Sequence, residues 1–209
     1  MTEVSVAFGM FIGWFVNKRL SYLENSVCAS KMGSISLALL MGLTSLFFYE
    51  REGLLQGWFL GVIFSAFLLE ISLFDYYQGL ILNKILFLMA LMGLVINYFC
   101  FQLNWTDIVF SALLGSGFLA LLCWISHGGI GGGDIKFVGV LGIWLGWQVL
   151  FLAIFLAFVS GALMGILLIF LKQKQRHDTI PFGPFLAGSA FLSYVWGKEI
   201  LDMYVVLFL

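Results

Sequence analysis

Long apolar runs alternate with short polar breaks along this chain, and the runs are far longer than ordinary strands. They predict helical spans over residues 4–16, 33–49, 54–74, 85–101, 107–125, 135–147, 149–171 and 181–196, with an apolar tail to Leu209. The breaks are Asn17-Lys18-Arg19 with the polar segment to Met32, Glu50-Arg51-Glu52, a semi-polar connector over 75–84, and a charged loop over 172–178. The sixth span is short. Its 13 or so residues reach about 20 Å at about 1.5 Å per residue, less than a hydrocarbon core of about 30 Å. Gly146 and Gln148 mark a tight exit from it. The pattern predicts an all-α fold: a polytopic transmembrane helical bundle of about eight spans, forming one membrane-embedded domain over residues 1–209.

Composition supports the bilayer. The sequence is 62% hydrophobic and 10% charged, where a soluble domain carries about 25% charged residues. A membrane barrel would need alternating strands of about ten residues, and none is visible. A formal net charge of −1 offers no basis for nucleic-acid binding. Cys28, Cys100 and Cys123 show no CxxC spacing, so neither zinc nor a disulfide framework is expected. The N-terminus lacks the basic region of a cleavable signal peptide.

Basic residues orient the bundle. With the N-terminus outside, the cytoplasmic segments hold Lys18, Arg19, Lys31, Lys84, Lys136, Lys172, Lys174 and Arg176, and the outside holds Arg51 and Lys198. Eight of ten on one side is the asymmetry that sets topology. Asp75, just after the third span, and Asp134, at the start of the sixth, then share the cytoplasmic face.

The most unusual stretch is Gly128-Gly129-Ile130-Gly131-Gly132-Gly133-Asp134-Ile135-Lys136. Each glycine in a helix costs about 1 kcal/mol against alanine, but a glycine run lets backbone bend and leaves room for close approach. An ionisable residue at membrane depth is expensive, which makes Asp134 a functional candidate. Paired with Asp75 it offers the parts of an aspartic protease, where an ionised carboxylate takes a proton from water and a neutral partner donates to the scissile carbonyl. On residue type alone, the same two aspartates read equally as helix N-caps, or as an ion or proton relay in a small transporter.

Three ordered segments separate these readings by resemblance. Gly131-Gly132-Gly133-Asp134-Ile135-Lys136 and the Gly-rich continuation to Trp147 resemble the GxGD motif of the type IV prepilin peptidases. Asp75, with Ile81-Leu82-Asn83 a couple of turns on, is similar to the family's first catalytic segment, except that Leu82 stands where that family has proline. Pro181-Phe182-Gly183-Pro184 matches its Pro-Phe-Gly-Pro segment, and residues 9–20 echo its N-terminal pattern. Presenilin and signal peptide peptidase share GxGD but use a Pro-Ala-Leu segment instead.

The resemblance implies that Asp75 and Asp134 are the catalytic pair and that Gly131, Gly132 and Gly133 form the active-site loop. It also implies supporting roles for Asn83, Pro181, Gly183 and Pro184. The implied reaction removes the basic leader from prepilin or pseudopilin precursors at the cytoplasmic face of a bacterial inner membrane, with no metal or organic cofactor. Many family members carry two CxxC pairs between their first two spans and methylate the new N-terminus. Here residues 17–32 hold only Cys28, which points to a short form that keeps proteolysis. Glu70 lies about one and a half turns before Asp75, a possible tuner of the site, although its closeness to the interface favours a plainer role. Lys136, two residues from Asp134, should point away from it and anchor at the interface, while the resemblance leaves it a supporting role in the site. His127, a polar residue beside the glycine run, is read as an end-group.

Overall fold

The computed structural model describes residues 2–23, 31–52, 55–100, 103–172 and 180–208. Glu24, Asn25, Cys28 and His177, and with them most of both polar loops, lie outside the described residues. Seven helices make up the described chain: α1 (Thr2–Leu23), α2 (Lys31–Glu52), α3 (Leu55–Gln78), α4 (Asn83–Cys100), α5 (Trp105–Ile125), α6 (Gly132–Phe170) and α7 (Gly183–Phe208). Helices α3 over 57–78, α4, α5 and α6 are long and apolar enough to cross a membrane. Large side chains such as Phe99, Leu113, Ile166 and Phe170 point outward from them, a surface that suits lipid rather than water.

Several boundaries differ from the sequence pattern. Helix α1 continues through Asn17-Lys18-Arg19, and α7 continues past Trp196. Polar residues end an apolar span without ending a helix, because Lys and Arg are good helix formers. Likewise α3 runs on to Gln78, which shrinks the expected connector to 79–82.

The helices cluster as two compact units, Met1–Glu70 and Ile71–Leu209. In the first, α1 and α2 run antiparallel. Ser45 Oγ donates to the Ser5 carbonyl at 2.6 Å and accepts from Trp58 Nε1 at 2.9 Å, so one hydroxyl ties three helices.

In the second unit, α6 is not one straight rod. Gly146 has φ 73° and ψ 170°, a non-helical conformation inside the helix. Asp134 and Gly161 nevertheless line the same cavity, although a straight helix at about 1.5 Å per residue would hold them about 40 Å apart. The chain therefore doubles back at Gly146, where the sequence marked a tight exit. A first arm (132–145) runs antiparallel to α5, with Ser111 Oγ donating to the Gly142 carbonyl at 2.7 Å. The second arm (147–170) returns beside it, so a Cβ at Gly115 of α5 would touch both Val138 and Leu150. Helix α7 lies antiparallel to this second arm, with Gly197 near Val149 and Phe182 near Phe158.

Helix α4 is tied to the first arm through polar groups. Asn97 Nδ2 donates to the Ile143 carbonyl and to the Gly93 carbonyl, both at 2.9 Å. Trp144 Nε1 donates to the Met89 carbonyl at 3.0 Å. Interhelical bonds of this kind contribute about 1 kcal/mol in membranes. Asn97→Leu should therefore lower the melting temperature in detergent by a few degrees, and an unchanged value would show that this tie contributes nothing.

Candidate active site

Two acids meet where four helical segments converge. Asp75 sits in the last turn of α3, inside the helix rather than opening a connector; its carbonyl accepts from the Gly79 N–H at 2.8 Å. That position rules out an N-cap role. Asp134 sits in the first turn of α6, where Gly131 is the N-cap and its carbonyl accepts from the Asp134 N–H at 3.1 Å. Asp75 is 6% exposed and Asp134 8% exposed. Both line one cavity of about 1230 Å³ and a second of about 260 Å³, and they are close enough to interact electrostatically.

Their surroundings differ. Asp75 Oδ2 accepts from the backbone N–H of Gly183 at 2.8 Å, a buried bond that brings the start of α7 to the end of α3. Asp134 Oδ1 is buried and has no hydrogen-bond partner among the described residues. A buried acceptor left unpaired is costly, so this oxygen is disposed to take a proton or a ligand.

The glycine run shapes the opening. Ser126 Oγ accepts from the Gly129 N–H at 3.1 Å, and Cys123 Sγ contacts the Ile130 carbonyl at 3.3 Å. These ties fold the run back on the end of α5. Gly131 lines both cavities, while Gly132 and Gly133 line the smaller one, where Gly133 packs against Ile81. Both Gly131 and Gly132 are exposed, so backbone, and no side chain, forms this wall.

The supporting candidates divide. Asn83 and Lys136 also line the smaller cavity, and Lys136 Nζ donates to Asn83 Oδ1 at 3.1 Å. Lys136 therefore does not simply point away, because its long side chain reaches back to the start of α4. Pro181 lines the larger cavity. Pro184, half-buried in the first turn of α7, lines neither, and a missing N–H is tolerated there. Glu70 is buried in α3 at 3% exposure and lines neither cavity. His127 lines a separate shallow pocket with Cys123 and Trp124.

Phe158, Gly161 and Ala162 of the second α6 arm, with Phe182 just before α7 and Phe185 in its first turn, wall the larger cavity. Of these, the sequence pattern drew attention only to Phe182, within Pro181-Phe182-Gly183-Pro184, and gave it no wall-forming role. In a segment that is apolar on every side, periodicity does not single out the cavity-facing residues.

The profile of the type IV leader peptidase family matches residues 62–166, about half of the chain, and that stretch takes in both acids. The chain belongs to this family. A Pseudomonas putida prepilin leader peptidase/N-methyltransferase is 36% identical over 138 residues, covering 64% of this chain and 48% of that protein. A Bacillus subtilis (strain 168) protein of the same name is 31% identical over 155 residues, covering 74% of this chain and 62% of its own length. An Aeromonas hydrophila namesake is 37% identical over 122 residues, covering 56% and 42%. The chain thus spans about half the length of the curated relatives it matches. No solved structure matches it.

Exposed, flexible pairs are worth little in isolation. Lys136→Ala and Asn83→Ala should each lower the melting temperature in detergent by only about a degree, and the double variant should be no worse than the worse single one. Strictly additive losses would show that the two residues act separately.

Proposed function

We propose that this leader peptidase family member is a membrane aspartic endopeptidase that removes the basic leader of prepilin-like or pseudopilin precursors, with Asp75 and Asp134 as its acids. One observation carries the reading: two buried carboxyl groups, far apart in sequence, line the same pair of cavities beside a wall of bare backbone. One carboxylate removes a proton from a water molecule as the water oxygen bonds to the scissile carbonyl carbon. The other, protonated, donates to the carbonyl oxygen. Collapse of the resulting diol breaks the carbon–nitrogen bond, and a carboxyl proton passes to the leaving amine.

The wall of exposed glycines suits an extended peptide backbone, which needs close approach. The aromatic side of the larger cavity suits the apolar segment that follows a leader. In this proposal the apolar helix of the substrate enters laterally among the spans and brings its leader junction to the acids.

Eight crossings, with the N-terminus outside and the acids facing the cytoplasm of a bacterial inner membrane, complete the proposal. The reversal at Gly146 and the distribution of Lys and Arg support it. The proposal covers cleavage alone and no methyl transfer, in keeping with the single cysteine of residues 17–32.

The test is processing in membranes. Co-expression with a prepilin-like precursor should give a product shortened by its leader, read by mass. If none of several precursors with different leaders is shortened, the peptidase reading fails, and ion flux through the same acids becomes the reading to measure.

A further inference from the structure

We propose that Gly183, in the first turn of α7, is a positioning residue for the reaction: its backbone N–H orients Asp75, and only glycine leaves room for the carboxylate. The inference rests on the reading of Asp75 as a catalytic acid. The Gly183 N–H donates to Asp75 Oδ2 at 2.8 Å in a buried setting. A Cβ placed on Gly183 would lie 2.6 Å from that same oxygen and 2.9 Å from both Cβ and Cγ of Asp75. The group that donates the bond and the group that forbids a side chain are thus one residue.

The donor is available for a structural reason. The first N–H groups of a helix have no acceptor within it, and Leu186, whose N–H reaches the Phe182 carbonyl at 3.0 Å, is already past that turn. Pro184 has no N–H to offer. Gly183 therefore presents a free donor at the positive end of α7, where a carboxylate is favoured. Its place is set by packing, because the Phe182 ring lies 5.2 Å from that of Phe158 on α6. A planar carboxylate anchored through one oxygen has its second oxygen confined to a narrow arc. The anchored group can then meet water and the scissile carbonyl in one geometry.

The test compares wild type with Gly183→Ala, Asp75→Asn, Asp75→Gly and the double variant Asp75→Gly/Gly183→Ala, each purified in detergent. With a prepilin-like peptide, Gly183→Ala should lower kcat about 100-fold, the scale of a misplacement of about 1 Å, while KM stays within about threefold. Gly183→Ala should also lower the melting temperature, but not in the Asp75→Gly background, where the atoms it would strike are gone. Wild-type kcat in Gly183→Ala, a loss confined to KM, or equal destabilisation in both backgrounds overturns the inference. If Gly183→Ala fails to accumulate, the double variant decides: recovery supports the contact and continued failure overturns it. Normal cleavage by Asp75→Asn would sink the parent reading instead, whereas a dead Asp75→Asn beside a fully active Gly183→Ala sinks this inference alone.

Discussion

Asp134→Asn should abolish leader cleavage, by about 1000-fold or more, and leave the folded protein as abundant as wild type. General acid–base groups contribute about 10²–10⁴-fold each, and asparagine can neither take a proton from water nor donate one as a carboxylic acid does. Asp75→Asn should do the same, since its amide oxygen can still accept from the Gly183 N–H that the carboxylate uses now. Groups that act as a unit are not additive. The double variant should therefore be no slower than either single one.

Stability should move the other way. Both acids are buried and line the same cavities, so a neutral amide in place of one removes the cost of keeping an ionisable group away from water. The melting temperature of each single variant should equal or exceed that of wild type. Activity lost with stability kept is the signature of a functional site. Normal cleavage by either variant would remove that residue from the catalytic pair, and a collapse in abundance would mark it as structural.

Gly146→Val should have the opposite signature, with the fold itself failing. The backbone at Gly146, φ 73° and ψ 170°, lies in a region open essentially to glycine alone, where other residues incur about 1–3 kcal/mol of strain. A Cβ there would also lie 3.2 Å from Leu103 and 3.6 Å from Asp107 Oδ2. Valine adds two methyl groups to that crowded position, so its loss should exceed that of Gly146→Ala. The consequence extends to the site, because this turn brings Phe158, Gly161 and Ala162 back to the cavity that Asp134 lines. Melting in detergent checks the prediction. A Gly146→Val variant that melts with wild type would mean that the chain can reverse there without glycine.

Much of this was legible before any coordinates. The apolar runs carried the helices, since in a bilayer every backbone polar group must be satisfied within its own segment. Asp134 beside five glycines stood out by cost alone, and Gly146 was visible as a boundary because glycine at the end of an apolar run signals a turn. The charged breaks were misleading at α1, where the helix runs through Asn17-Lys18-Arg19, because polarity reports the membrane edge and not the helix end. The bond of Lys136 to Asn83 was not legible for a related reason: residue spacing describes where a side chain leaves the helix, whereas a four-carbon stem decides where it arrives.

The sequence by itself determined an all-helical membrane chain with two aspartates beside segments able to bend and admit a partner. Only the tertiary structure decided that α6 doubles back on itself, that the Gly183 N–H is the group that meets Asp75, and that Phe158 and Gly161 line the same cavity as the acids. The first set depends on local composition, which each segment carries whatever its neighbours do. The second depends on which faces of uniformly apolar helices pack together, and that is settled by shape and a few buried hydrogen bonds, for which a run of leucines and phenylalanines has no signal.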